Sequence, residues 1–367
     1  MVSNNAAQAT AANQPTYRSS GDNLLNFNPS IYFRGNTDGD ANRDWLDITS
    51  PSNNLNSTTY NIFDLIKPVS ASQVNLAFYA SNGSGTSYDG FGAGAGVFEL
   101  HTGLSSSGGS RPATFFVTNG SSPATVSATV NTVDNTPFLI SGALSGTSVS
   151  VFYNAGSTAS ATITGGGPSL NTFRLGGHTN TTSNYDRYLY GLLPEHIIYK
   201  ANLSATDRDR VQSYIAIKYG LTLGSTSSLV SYLASDGTTT TWTGSATYQN
   251  NVAGIGRDDL TALYQKQSQG VNAGSQVIMA LGTAAASNQA NANTIPTDKQ
   301  FFIWGDDNGS LTTMASTGNS TYTYRFTRIW KTQNTGSFAQ NITVYYPVSA
   351  FGNALSTTVA LLYGTSA

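Results

Sequence analysis

The sequence predicts an all-β protein: a sandwich with one helix at its C-terminal end, followed by a second β-sandwich-like domain. Three observations predict it. From about Asn23 to Gly156, short alternating or apolar runs recur between clusters of Gly, Asn, Ser and Pro, the spacing of an antiparallel sandwich rather than of βαβ units. A single stretch, Ala205 to Tyr219, carries the punctuation of a helix. The length, 367 residues, is more than twice the roughly 150 residues of a typical domain, so two cores are expected.

Strands of the first domain are predicted at Ser30–Phe33, Asn61–Lys67, Asn75–Ala80, Gly96–His101, Ala113–Thr118, Thr125–Thr132, Pro137–Ala143 and Ser148–Tyr153, with Phe173–Leu175 and His196–Tyr199 extending the set. In Ser148–Tyr153 the two-residue repeat puts Val149, Val151 and Tyr153 on one face. The run Gly165 to Pro168 breaks the pattern between sheets. For the helix, Ser204 followed by Asp207 has the form of a capping box with a shortened acid. Val211, Tyr214 and Ile215 stand three and four apart on one face, and Gly220 is placed to end the helix. Leu221 to Ser228 reads as a linker. Beyond it, strands are predicted at Val252–Ile255, Ser275–Leu281, Gln300–Trp304, Tyr322–Lys331, Ile342–Pro347 and Val359–Tyr363, with Ala284 to Asn293 as a mobile surface loop. The expected organisation is a flexible leader over 1–20, the first domain over 21–223 and the second over 229–367. Since the last predicted strand has no partner in view, the second domain is expected to be incomplete at its C-terminus, its open strand left to be completed by further chain of its own or by a neighbour.

Charged residues are only 10% of the chain, against roughly 25% in an ordinary soluble protein. Ser, Thr, Asn and Gly fill the difference, giving an amide- and hydroxyl-rich surface. A net charge of -2 supplies no basic field for a phosphate backbone, which argues against nucleic acid as a partner. With no cysteine, disulfides, thiolate metal sites and a thiol nucleophile are excluded. No apolar run reaches the about 18 residues of a membrane span. The start, Met1 to Gln14, lacks the charged and apolar regions of a signal peptide. The composition fits an extracellular β-protein.

The densest polar cluster runs from Asn36 to Asp47. Read as a calcium loop, it offers oxygen at every second residue: Asn36, Asp38, Asp40, Asn42 and Asp44, with Asp47 closing the set. Against that, Ala41 stands where the sharp turn wants Gly, and Asp47 is shorter than the usual Glu. A solvated Asp-rich turn is the competing reading. Gly305 to Gly309 and Arg257 to Asp259 read as turn chemistry. A glycosidase needs two carboxyls about 5–9.5 Å apart, yet the chain has only Glu99 and Glu195 as glutamates, neither in a paired-carboxylate strand pattern. Glu99 shares a strand face with His101, which reads as a paired strand contact. The histidines His101, His178 and His196 show no metal spacing, and the Gly-rich run Gly90–Gly96 leads into a strand, unlike a nucleotide cradle. Four Trp and 20 Tyr suit the stacking of sugar faces. Trp304 and Trp330 are expected in the core and Trp242 at the surface, so the expected ligand-binding residues are Trp242 with Tyr88 and Asp89.

Leu189 to Tyr199, then Leu203-Ser204, then Ser213 to Leu223 resemble the end of the concanavalin A-like (laminin-G-like) jelly-roll domains of large surface proteins of Bacteroidota. There a Gly-x-x-x-Glu-x-x-x-Tyr strand leads into a helix ending Tyr-x-Ala-x-Lys-Tyr-Gly. Phe27 to Gly35 is similar to that domain's first strand. Val252 to Asp259, Leu263, Gln265, Ser268 and Phe302 to Asp307 resemble the β-domain that follows it in adhesins and gliding-type proteins exported by type IX secretion. The resemblance implies a non-enzymatic, extracellular cell-surface module with polysaccharide or surface glycans as ligands and neighbouring domains of a longer chain as partners. It transfers no catalytic residues. The alternative from another class is a laminarinase-like glycoside hydrolase, which would need an Asp-based carboxyl pair.

Overall fold

The computed structural model describes residues 6–21, 24–35, 43–48, 57–70, 75–81, 96–102, 111–119, 123–165, 167, 170, 172–177, 188–318, 320–321, 323–347 and 349–350. Tyr88, Asp89, His178, the strand predicted at Val359–Tyr363 and four of the expected calcium ligands (Asn36, Asp38, Asp40, Asn42) lie outside the described residues. By its contacts the chain divides into two compact units, Met1–Leu24 with Pro29–Arg208, and Leu25–Asn28 with Asp209–Ala367.

The first unit contains, in chain order, β1 (Ala6–Ala7), β2 (Thr16–Arg18), β3 (Ser30–Phe33), β4 (Leu46–Ile48), β5 (Thr59–Pro68), β6 (Leu76–Ser81), β7 (Gly96–Thr102), β8 (Pro112–Asn119), β9 (Pro123–Asn131), β10 (Phe138–Ser145), β11 (Ser148–Tyr153), β12 (Ser157–Thr162), β13 (Thr172–Leu175) and β14 (Gly191–Tyr199). They form two seven-stranded sheets, β1-β4-β13-β6-β7-β8-β9 and β12-β11-β10-β5-β14-β3-β2, the layers of a jelly-roll sandwich. The two-residue repeat sends alternate side chains into one core. Tyr60, Ile62 and Ile66 of β5, Ile140 and Leu144 of β10 and Val149 and Val151 of β11 meet Phe78, Leu100, Phe115, Val117 and Phe173 of the opposite sheet. Gly176 sits at φ +77 against the Phe33 ring, so a Cβ there would be both strained and in collision. In β14 the register shifts between Leu192 and Glu195, where Pro194 has no N–H to offer a ladder.

The helix α1 spans Ala205–Tyr219, as the sequence predicts. Ser204 Oγ accepts from the Asp207 N–H at 3.1 Å, the N-cap half of the expected capping box, and donates to Asp207 Oδ2 at 2.8 Å. Gly220 at φ +65 lets the Leu221 N–H reach the Ala216 carbonyl at 2.9 Å, a Schellman ending. The buried face differs from the apolar stripe expected. Gln212, Ser213, Ile215, Ala216, Ile217 and Tyr219 are buried, while Val211 and Tyr214 are half-buried. Ser213 makes this possible: its hydroxyl donates to the Asp209 carbonyl at 2.6 Å and accepts from the Leu233 N–H at 2.9 Å. From Asp209 onward the helix therefore groups with the second unit, upstream of the linker the sequence suggests.

The second unit contains β15 (Tyr232–Leu233), β16 (Thr240–Trp242), β17 (Asn250–Asp258), β18 (Leu263–Gln265), β19 (Gln267–Gln269), β20 (Ile278–Leu281), β21 (Gln300–Asp306), β22 (Met314–Ser316), β23 (Tyr324–Phe326), β24 (Trp330–Thr335) and β25 (Ile342–Tyr345). A four-stranded sheet β18-β17-β21-β24 and a three-stranded sheet β19-β20-β25 are accompanied by the pairs β15-β16 and β22-β23. Ala253, Ile255 and Trp304 from the first sheet and Met279 and Leu281 from the second share a core with Val277, Ile295 and Phe338. The Ala284–Asn293 segment is pinned, contrary to expectation. Asn291 is buried and donates to Gln267 Oε1 and the Leu281 carbonyl, and Asn288 accepts from the Lys266 N–H and donates to the Tyr264 carbonyl.

Candidate functional site

The register of the first sheet lines up one residue from each of six strands: Asp47 (β4), Arg174 (β13), Tyr79 (β6), Glu99 (β7), Phe116 (β8) and Thr125 (β9). Residues directly opposite in a ladder share a face. The neighbours of this row on each strand, such as Phe173, Leu175, Phe78, Leu100, Phe115 and Val117, belong to the core, so the row lies on the outer face. At one end Arg174 grips Asp47 through Nε at 2.6 Å and Nη2 at 3.0 Å, a bidentate pair. The Trp45 indole N–H also donates to Asp47 Oδ2 at 3.2 Å. The Arg174 guanidinium lies 4.7 Å from the Trp45 ring centroid and that of Arg43 5.0 Å from the Tyr188 ring centroid, with the two rings 6.3 Å apart. Tyr79 and Phe116 are buried, whereas Thr125 and Ser127 at the far end are exposed.

Of the expected calcium ligands, Asp44 and Asp47 are committed to arginines. Asp44 is wholly buried; its Oδ2 accepts from the Arg34 backbone N–H at 2.8 Å and its Oδ1 from Arg34 Nη2 at 2.7 Å. No cluster of three or more metal-binding side chains occurs among the described residues. Trp242 requires a correction. It is buried at 0% exposure, its indole N–H donating to Gln249 Oε1 at 3.1 Å and its ring packed against Gly305. The polar residues beside it suggested a surface position, but alternation in β16 turns Thr241 and Trp242 to opposite sides, and both are covered.

The acidic turns are structural, as expected. Asp306 accepts from Asn251 Nδ2 at both oxygens and from the Asn308 N–H, and burial pushes its carboxyl above the ordinary range. Asp307 Oδ1 holds the N–H groups of Gly309 and Ile329, and Asp258 holds the N–H and hydroxyl of Ser235. The core also holds a polar pair that sequence reasoning missed. His196 Nδ1 lies 2.6 Å from Oδ1 of the fully buried Asp64, and the imidazole stacks on Phe78 at 5.1 Å. The cross-strand register of β5 and β14 opposes these residues directly.

No helix among the described residues is long and apolar enough to cross a membrane. Domain 4 of AbnA, a GH43 extracellular arabinanase from Geobacillus stearothermophilus solved with arabinotriose, is similar at 12% identity and a TM-score of 0.38, over 52% of this chain and 77% of that one. The native heptameric SAP-like pentraxin of Limulus polyphemus is similar at 14% identity and a TM-score of 0.38, over 50% and 82%. The CBM40 of Ruminococcus gnavus IT-sialidase follows at 12% identity and 0.37, over 48% and 91%. No curated protein matches the chain. Residues 207–367 match a family described as a domain of unknown function (DUF8202).

Proposed function

We propose that this chain is a non-enzymatic, extracellular module of a bacterial cell-surface adhesin, with polysaccharide or surface glycans as its ligand class. The observation that supports the reading is the outer-face row from Asp47 to Thr125, which extends about 24 Å across six strands. It joins an oriented Asp–Arg pair backed by Trp45 and Tyr188 to hydroxyls at Thr125 and Ser127. On either side of the buried Tyr79 and Phe116, the ends of the row offer the partly exposed Asp47 carboxylate beside aromatic rings and the exposed hydroxyls of Thr125 and Ser127, groups that a polyhydroxylated ligand can bond. Calcium remains part of this reading at Asn36, Asp38, Asp40 and Asn42, without Asp44 and Asp47, whose oxygens are taken by Arg34 and Arg174.

The test is a glycan array probed with the purified chain in calcium and in chelator, repeated with Arg174→Ala and Trp45→Ala. Binding that is lost in both variants while the fold is retained is expected. Binding unchanged in both, or silence on every glycan, would overturn the assignment of this face. Sustained reducing-end release from β-glucan would overturn the non-enzymatic reading.

A further inference from the structure

Leu25–Asn28 groups with the second unit although the residues on both sides of it in sequence group with the first. The four residues form a tight turn closed by Leu25 N–H to Asn28 O at 2.9 Å and Asn28 N–H to Leu25 O at 3.0 Å. Both central residues lie at positive φ, Asn26 at 48° and Phe27 at 65°, as a type I′ turn demands. Asparagine accepts that conformation readily; a phenylalanine there is strained and needs surroundings that over-determine it.

Those surroundings are a polar socket. The Asn26 amide donates to the Lys218 carbonyl at 3.0 Å and to Ser268 Oγ at 2.8 Å, while its oxygen accepts from the Gln269 N–H at 2.7 Å. The Asn28 amide donates to the same Lys218 carbonyl at 2.6 Å and to Gln265 Oε1 at 3.1 Å. Gln265 Nε2 returns a bond to the Asn26 carbonyl at 3.2 Å, and the Asn288 N–H donates to the Phe27 carbonyl at 2.9 Å. Leu25, Asn26 and Asn28 are 3%, 7% and 6% exposed. Gly220 completes the wall: a Cβ there would strike the Gln269 carbonyl and lie 3.1 Å from the Asn26 side chain. Both polar atoms of the Asn26 amide and the NH₂ of Asn28 are met by groups of matching sense. Aspartate at either position would set an oxygen against the Lys218 carbonyl.

We propose that the second unit is a turn-recognition module, whose socket of Lys218 O, Gln265, Ser268, Gln269 N–H and Asn288 N–H takes a type I′ β-turn of the form Asn-x-Asn. In this chain the occupant is Leu25–Asn28, and the fitting partner in trans is the same turn from another polypeptide. The tethered turn has an effective concentration in the millimolar range, so the socket of the native chain is closed to a competitor. The matched family segment, 207–367, contains the socket and omits the turn.

The experiment uses the full chain carrying Asn26→Ala with Asn28→Ala, and amide hydrogen exchange as the readout. Exchange at Gln269 and Asn288 is expected to accelerate on the order of tenfold or more, with β10 and β11 protected as in the native chain. A cyclised peptide of sequence Leu24 to Pro29 is expected to restore both amides in the variant and to leave the native chain unchanged. The same peptide with Asp in place of both asparagines should restore nothing. Unaltered exchange in the variant, or lost protection that the peptide does not restore, would overturn the proposal. Should the double variant unfold, Asn28→Ser, which leaves the bonds of the Asn26 side chain in place, carries the same comparison.

Discussion

Replacing Asp44 by Asn tests whether this carboxylate serves the fold or a metal. Asp44 is completely buried, and its two oxygens take the Arg34 backbone N–H, Nε and Nη2. An amide keeps one acceptor and turns its NH₂ toward the arginine donors, so about two hydrogen bonds are lost. The Arg34 side chain is 39% exposed and can regain water, which makes the charge-pair contribution small. The main cost comes from the hydrogen bonds at the buried end, at about 1 kcal/mol each, or about 2 kcal/mol in all. For a unit of this size that is a fall in melting temperature of roughly 4–8 °C. The assay is differential scanning calorimetry in calcium and in chelator, and equal shifts are expected in the two buffers. A fall confined to the calcium sample would refute the reasoning and restore Asp44 as a metal ligand.

Trp242→Phe removes the donor to Gln249 from a closed pocket and is expected to destabilise the second unit by about 1–3 kcal/mol while leaving glycan-array binding unaltered; loss of glycan binding in a folded variant would return Trp242 to the ligand site. Burial pushes the phenols of Tyr60 and Tyr153 up to about 12. The unfolded chain ionises first, so stability is expected to be full below pH 10 and to fall between about pH 10 and 12; a flat denaturation profile across that window would contradict their burial. Asp236 is held down at about 2 mainly by the Thr239 N–H, with Thr238 and the Thr239 hydroxyl assisting. The Thr239 amide resonance should therefore keep its folded position until the pH falls toward 2, and a midpoint near an ordinary aspartate value would show the turn to be open.

Most strands of the first sandwich were readable because a half-buried strand must alternate. Ser30–Phe33 and Ser148–Tyr153 appear with the bounds the sequence suggests. Ser157–Thr162 escaped because its inward residues are only Ala159 and Ala161, too small to mark a period. Leu46–Ile48 was hidden by the acidic run that ends at Asp47. In the second unit, Leu263–Gln265 and Gln267–Gln269 bury glutamines that are satisfied by partners distant in sequence, and polarity alone reads as loop. For the same reason the outer-face row could not be assembled beforehand: alternation fixes which side a residue faces, while the register that aligns Asp47 with Arg174 depends on strands far apart in sequence. Trp242 misled through its neighbours, since a buried strand in an amide-rich protein can be flanked by threonines whose hydroxyls find carbonyls.

The Asp64–His196 pair bears on how the two central strands of its sheet find each other. Along β5 the inward residues Tyr60, Ile62 and Ile66 repeat every second position, so sliding β14 by two residues would preserve every inside–outside assignment and cost the hydrophobic pattern little. The acid and the imidazole, facing each other across the ladder, tell these alignments apart, together with the register shift at Pro194. A slip would strand a carboxylate among isoleucines without its imidazole partner, a penalty of several kcal/mol. The pair thus acts as a key cut into an otherwise periodic lock, trading some stability of an all-apolar interior for a single alignment of β5 and β14.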